Sequence, residues 1–542
     1  MVFTIHRYIF RELLRVFVLA GVALTLILSL GSMLRPIQEY GVGPEQIIHL
    51  LGYFLPITLT FVLPMAALFA AALIYGRFGS DNELDACRAS GISFMTLVYP
   101  GLCLAIIVAI TTLILSFHVV PAFVHRAEKA IKANAKQILF RNIQRKGYYT
   151  LPGGEFHIYA DRAMPENDML SGVIIVESEG LDITKLITAE TAKIEFEDID
   201  KSFNRVTVVA QEAYQIDDHG QVYSRQLPAS GRFESLLADN IKFQKIDQIK
   251  KIKVDMMHFN PVRKLTLKIR AHLASELLAR AIADEIAGDG SGYYRLVGED
   301  RIVMFSAGRC VPKYPKFKDK DKAATIELSG IVKLSELHKV HQQLICRWES
   351  EEGIIRLEDN EVGSTLEMVL YNPSWERDDK GRDGSIKGLA QRHVIKDLPL
   401  PEAIEERLAG DNLVEKLLDV RSILPTPTPG LISLEKRLRR KIKSTTNEIS
   451  SEIHSRLVLG LGCTVLILIG IALGVIFKGG HLLSAFGASS IPAAALIVFI
   501  MAGKDLTKNH AVPMMVGITV MWSGLIVLSI LTVIIYRKLL KT

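Results

Sequence analysis

The chain has 542 residues and a formal net charge of +6, and 49% hydrophobic residues coexist with 23% charged ones. A mean hydropathy of +0.26 excludes an ordinary soluble enzyme, and the modest charge surplus does not call for a nucleic-acid partner. The average hides two populations: uncharged runs cluster at both ends, whereas nearly all the charge falls between about residues 121 and 456, as in a membrane protein with one large soluble insert.

About 20 apolar helical residues cross the roughly 30 Å hydrocarbon core of a bilayer. Residues 16–33, 50–75 and 94–117 meet that requirement before the insert, and 457–477, 482–502 and 512–536 meet it after. Arg7, Arg11 and Arg15 precede the first run, and no small-residue cleavage site occurs before Arg35, so the run reads as a retained helix and not a signal peptide. Pro64 in the second span is read either as a packing irregularity or as a hinge. Arg7, Arg11 and Arg15 before the first span, and Arg537, Lys538 and Lys541 after the last, place both termini in the cytoplasm. Six crossings then put residues 76–93 and 478–481 inside, and residues 34–49, the insert and residues 504–510 outside.

Between the second and third spans, "GRFGSDNELDACRASGIS" packs five charged residues into a short connection. Ser80 and Glu83 have the S-x-x-E spacing of a capping box, and Gly91 supplies a C-terminal stop. This predicts a surface-lying helix of about 10 residues with Leu84, Cys87 and Arg88 near one face. Two readings of Glu83 stand at this point: it caps a connector, or it docks a partner through a helix rigidly joined to two spans.

From Pro121 the third span predicts an amphipathic continuation, "PAFVHRAEKAIKANAKQILF". The period then changes to short β-branched runs at 155–163, 170–178, 191–198 and 205–218, the pattern of a sandwich or roll. Residues 264–286 read as a helix, and strand text resumes at 294–308, 324–337, 344–360 and 365–374. "LSGVIIVES" at 170 and "LSGIVKLSE" at 328 report either an internal duplication or two converged strands. "PTPTPG" at 425–430 reads as a stiff linker, and 431–456 as a helix returning to the membrane. Cys310 and Cys346 fall in the external insert, as a disulfide or as two unpaired thiols.

No GxxxxGK[ST], HExxH, CxxC or GxSxG motif occurs, so the chain is not expected to be an enzyme or to hold a cofactor of its own. His6, His118, His454, His481 and His510 sit at span ends, where interfacial placement explains them better than metal ligation.

The order three spans, external β domain, three spans, with "LPMAALFAAALIYGRFGSDNELDACRASGIS" and "SEIHSRLVLGLGCTVLILIGIALGV", resembles the LptF/LptG permeases of the lipopolysaccharide export ABC transporter. The resemblance implies six transmembrane helices (3+3) and an extracytoplasmic, jellyroll-like β-rich domain between helices 3 and 4. It implies a bacterial inner-membrane location and a transport role, in which lipopolysaccharide or a related glycolipid passes to a periplasmic bridge protein of jellyroll fold. The implied partners are a separate cytoplasmic ABC ATPase dimer, which binds the ATP, and a second permease, either a paralogue or another copy. The family's coupling helix maps onto about 80–91, which assigns motor contact to Ser80, Glu83, Leu84, Cys87 and Arg88. Its headgroup-binding position maps onto Arg35, with Lys504, Lys508 and the basic run at 436–443 as weaker candidates.

The expected domains are 1–120, 121–455 and 456–542, the middle one holding two jellyroll-like units at about 148–260 and 290–400. Residues 262–424 have no counterpart in the family pattern. Two other classes stand beside this one: a lipoprotein-release or mechanotransmitting permease, which would carry its external domain after a single span, and a receptor, which would be expected to carry a cytoplasmic effector domain.

Overall fold

The computed structural model describes residues 2–541 apart from 41–43, 134, 152–155, 180–181, 201–202, 218–219, 234–239, 289–291, 299, 314–324, 361–362, 379–384, 411, 478–481 and 510. The chain divides into two compact units. One comprises Met1–Ser178, Ile183–Lys253 and Ser444–Thr542, the other Glu179–Asp182 and Val254–Lys443.

In the first unit, α1 (Val2–Tyr40), α2 (Pro44–Ser80), the short α3 (Glu83–Ala89) and α4 (Phe94–Ile114) are followed by a π-helical turn, Leu115–Val119, and by α5 (Val120–Ala133) and α6 (Ala135–Lys146). Six helices are long and apolar enough to cross a membrane, at Phe3–Gly31, Leu51–Ser80, Phe94–Ala130, Pro429–Phe477, Ser490–Lys508 and Met514–Leu540. Large apolar side chains such as Leu19, Ile27, Ile106, Ile110, Val498 and Ile534 are exposed on them, the arrangement a helix adopts when its surroundings are hydrocarbon. Pro64 is buried, as are Val62 and Ala66, and α2 continues through it without a break.

The first sheet is an antiparallel meander of β1 (Tyr148–Thr150), β2 (Phe156–Met164), β3 (Met169–Glu179), β4 (Asp182–Asp200), β5 (Phe203–Asp217) and β6 (Gly220–Phe233). Its alternating residues, Ile158, Val173, Ile175, Ile194, Val206 and Val208, pack on Leu139, Phe140 and Ile143 of α6. Gly231 on β6 lies against Leu151 and Phe156, so the sheet curls until its last strand faces its first. The sequence reading missed β6, whose text holds Pro228. Pro228 sits on an edge strand, where the missing N–H leaves no ladder bond unmade. The chain then passes through a 3-10 turn, Ile241–Phe243, and α7 (Ile246–Val254).

The second unit is built on α8 (Asn260–Gly288), whose residues 271–279 are all buried. Around it run β7 (Tyr294–Val297), β8 (Arg301–Ser306), β9 (Arg309–Lys313), β10 (Thr325–His338), β11 (Leu344–Asn360), β12 (Gly363–Tyr371), β13 (Ser374–Asp378), β14 (Ser385–Leu389) and β15 (Arg392–Pro399). The sheet orders its strands β14-β13-β11-β10-β8-β7, with β12, β15 and β9 branching from the long β10 and β11. In the "LSG" text common to 170 and 328, Gly172 and Gly330 both have positive φ, at 64° and 85°, but only Gly330 lies at a bulge, where the register shifts; on either side of Gly172 the register is the same. The strand orders around the two glycines also differ.

Short helices α9 (Glu402–Leu408), α10 (Leu413–Leu417) and α11 (Val420–Ile423) lead to α12 (Pro429–Phe477), one uninterrupted helix of 49 residues. The expected "PTPTPG" linker is therefore shorter than its text, because Pro429 and Gly430 already belong to the helix and the Thr428 hydroxyl accepts from Leu431 N. The chain ends with α13 (Leu482–Lys508) and α14 (Met514–Lys541). Cys310 and Cys346 are free thiols, which decides between the two sequence readings. Burial pushes the Cys310 thiol up to about 11.

Candidate functional site

Helix α3 is shorter than its text suggests, spanning Glu83–Ala89, and the capping box does not form. Helix α2 runs through Ser80, so the Ser80 hydroxyl donates back to Arg77 O at 2.8 Å instead of accepting from a later N–H. The cap position falls to Asn82, in the left-handed region with φ 58° and no side-chain cap bond. The carboxylate of Glu83 is thus not used for capping. It stands exposed in the first turn of α3, where its charge suits the helix dipole.

The expected C-terminal stop is present. Gly91 has φ 82°, Ile92 N donates to Cys87 O at 3.1 Å and Gly91 N to Arg88 O at 2.9 Å, the paired bonds of a Schellman motif. Leu84 is buried in the bundle core, and Cys87 and Ile92 pack against the same cluster. Of the five residues assigned to this site by sequence, Glu83, Arg88 and Ser80 are exposed, while Leu84 and Cys87 face inward and anchor the helix. The outward face also carries Asp85 and Ala86. The sequence reading left these out, although the helical period makes them neighbours of Glu83 once Leu84 is placed inside.

The mounting beneath α3 is stiff. Tyr75 and Phe78 are 0% and 1% exposed, and the Tyr75 hydroxyl donates to Leu97 O at 2.7 Å, tying α2 to α4. Arg77 reaches Glu12 at 3.4 Å, adding a tie to α1. On the far side of α2, Gly474 of α12 lies so close that a Cβ there would stand 2.6 Å from Ala72 O, and at Gly470 one would stand 2.6 Å from Leu68 O. Small residues four apart permit this backbone approach.

At the sheet end of the bundle lies a second polar group. Lys504 donates to Glu452 Oε2 at 2.7 Å, and the other Glu452 oxygen accepts from Arg456 Nε at 3.3 Å. Lys508 is exposed one turn beyond Lys504. Glu452 and Arg456 were missed from the sequence, although the i, i+4 acid–base pair at the edge of an apolar run was visible there. Arg35 falls within α1, but its side chain lies outside the described residues, as do residues 478–481 and His510. The basic run at 436–443 belongs to the second unit, where Arg439 donates to Leu418 O at 2.6 Å and pairs with Glu435.

The family model for the lipopolysaccharide export system permease LptF/LptG matches residues 7–268 and 408–538. It covers both membrane halves, the first sheet and α3, and leaves out most of the second unit. Among curated individual proteins none matches. On the extent of the family match, this chain belongs to the LptF/LptG family of lipopolysaccharide export permeases.

Proposed function

We propose that the chain is a membrane subunit of an ATP-driven lipopolysaccharide exporter, seated in the inner membrane with both termini in the cytoplasm and its β-rich insert in the periplasm. It pairs with a second permease, takes its energy from a separate ATPase dimer that binds the ATP, and hands lipopolysaccharide or a related glycolipid to a jellyroll bridge protein. The chain itself carries out no hydrolysis and holds no cofactor. The observation that carries this reading is the stiff mounting of α3: a helix whose inward residues are locked into the bundle and whose Glu83 carboxylate is exposed in the first turn transmits displacement from a docked motor into α2 and α4.

In this reading Glu83 makes the contact, with Ser80 and Arg88 beside it, and Leu84 and Cys87 hold the helix in place. Arg35, Lys504 and Lys508 meet the anionic headgroup at the outer leaflet, the guanidinium being better matched to a phosphate than an ammonium is. The test is copurification of the ATPase from detergent with wild-type chain and with Glu83→Ala and Glu83→Lys. Loss of ATPase recovery with Glu83→Lys, and a weaker loss with Glu83→Ala, is expected. Undiminished recovery with the charge-reversed chain overturns docking through this residue.

A further inference from the structure

Between the first sheet and the end of its unit, residues 241–253 form a strap on the bundle. Ile241, Ile249 and Ile252 are buried, at 2%, 1% and 2% exposure, while Lys245, Lys250, Lys251 and Lys253 face outward. Two polar ties join the strap to the spans. His125 of α5 meets Gln248 Oε1 at 3.3 Å, and Arg456 Nη2 of α12 donates to Lys242 O at 2.7 Å.

The guanidinium of Arg456 is in an unusual position. Its side chain is 4% exposed, its Nε is taken by Glu452, and it lies 5.3 Å from the centre of the Phe117 ring. Its Nη1 is buried with no hydrogen-bond partner. Phe117 is carried by the π-helical turn Leu115–Val119, a wide turn of the kind that re-aims side chains at working positions of helices.

A buried N–H left unbonded costs about 1–3 kcal/mol, comparable to the gain from a charge-assisted bond to a carbonyl. Most buried donors in folded proteins are satisfied, so the orphan offsets part of what this clamp on a separate segment contributes, and leaves room for a second arrangement not far above the first in free energy. In one, seen here, Nη2 holds the strap and Nη1 is idle. In the other the strap lifts from Arg456, and water reaches both nitrogens.

We infer that Arg456 is a latch that holds residues 241–253 against the sheet ends of the third and fourth spans and releases them when those spans shift. It is a positioning residue. It acts through the Lys242 carbonyl and the Phe117 ring, and relative motion of α4–α5 against α12 changes both contacts at once. The inference does not depend on which lipid is carried or on docking at Glu83.

The test is amide hydrogen exchange by mass spectrometry on the full chain in detergent micelles, comparing wild type with Arg456→Lys. Lysine keeps the charge beside Glu452 but lacks the fork needed to hold the Lys242 carbonyl as well. Exchange of the α7 amides is expected to quicken at least tenfold, about 1.4 kcal/mol, with β5 and α12 unchanged. Unaltered exchange in α7 overturns the latch, and so does equal quickening in β5 and α12, which would mean general loosening. Should Arg456→Lys fail to accumulate, Phe117→Ala, which bares the guanidinium without removing a hydrogen bond, is read by the same criterion.

Discussion

Replacing Gly474 by alanine tests whether the close crossing of α2 and α12 holds the bundle together. A Cβ at 474 would lie 2.6 Å from Ala72 O, 2.8 Å from Gly76 N and 3.1 Å from the Tyr75 Cβ, whereas ordinary contact begins at 3.4 Å. The first two neighbours are backbone atoms of a helix, so no side chain can swing aside. The helices must part by roughly 0.8 Å at this point, the difference between 3.4 and 2.6 Å, and overpacking of this kind costs about 1–3 kcal/mol. Gly52, also in α2, has nothing within 4 Å of an added Cβ, so alanine there brings only its higher helix propensity, worth about 0.8–1.0 kcal/mol. The two variants should therefore differ by about 2–4 kcal/mol, with opposite signs relative to wild type. Thermal unfolding of the full chain in detergent, followed by dye reaction at Cys463, which is buried on α12 in the same core, reads the difference. A Gly474→Ala chain that melts with or above wild type would refute the close crossing. Because only Asp81 and Asn82 separate α2 from α3, the same substitution should, on the proposed function, also weaken coupling to the ATPase without touching Glu83.

Three further outcomes follow from the geometry. Gly91→Ala places a Cβ at φ 82°, at a cost of about 1–2 kcal/mol, and faster proteolysis within 86–93 at unchanged global melting is the expected signature. Glu336 is buried, which by itself raises a carboxyl, but hydrogen bonds from His393 and Trp348 and the Arg301 charge outweigh burial and hold it below the usual carboxylate range. Its contribution is therefore present above the ordinary carboxylate value and lost as pH falls through the lower folded value, so melting of the second unit should decline only in that acid window, and Glu336→Gln should flatten the decline and destabilise by about 1–3 kcal/mol at neutral pH. Cys310, pushed up to about 11 by burial, should react with a maleimide slowly at neutral pH and about tenfold faster per pH unit up to that value, and a fast, pH-independent reaction would contradict its burial.

The six spans were legible because bilayer thickness fixes their length and few other constraints compete. The edge strand β6 and the strands β9 and β13–β15 were not, since Pro228, Gly231 and Gly388 are tolerated there through cross-strand contacts that local text does not show: Gly231 against Phe156, and Gly388 beneath its partner Trp375 on β13. At α3 the place of the helix and its stop at Gly91 could be read from the residues, but its start could not. Ser80 and Glu83 have the spacing of a capping box, yet whether Ser80 opens α3 or closes α2 depends on how far α2 extends, and that is decided by Tyr75 and Phe78 locking its last turns into the core. Helical spacing puts Leu84 and Cys87 near one face with Arg88, whereas burial assigns the first two to the mounting. The latch at Arg456 was beyond sequence reading, because its partner is a backbone carbonyl more than 200 residues away.

The region without a family counterpart also has a physical account. The family match stops at residue 268, within α8, and resumes at 408, at the end of α9. The insertion thus begins in α8 and ends in α9, and later turns of α8 are fastened to the segment that opens α12. Glu276 of α8, 1% exposed, accepts from the Thr428 hydroxyl and from Thr428 N at 3.4 Å, at the start of α12. Arg280, one turn on, donates to Thr426 O. An added segment that is tied back to the chain just beyond its exit can be accommodated without spreading the frame that receives it. The buried carboxylate of Glu276 also faces the N-terminus of a 49-residue helix, where a negative charge is favoured. The strands between 294 and 399 therefore enlarge the unit while the first turn of α12 stays fixed to α8, so the added mass need not disturb the helix that continues as the fourth span.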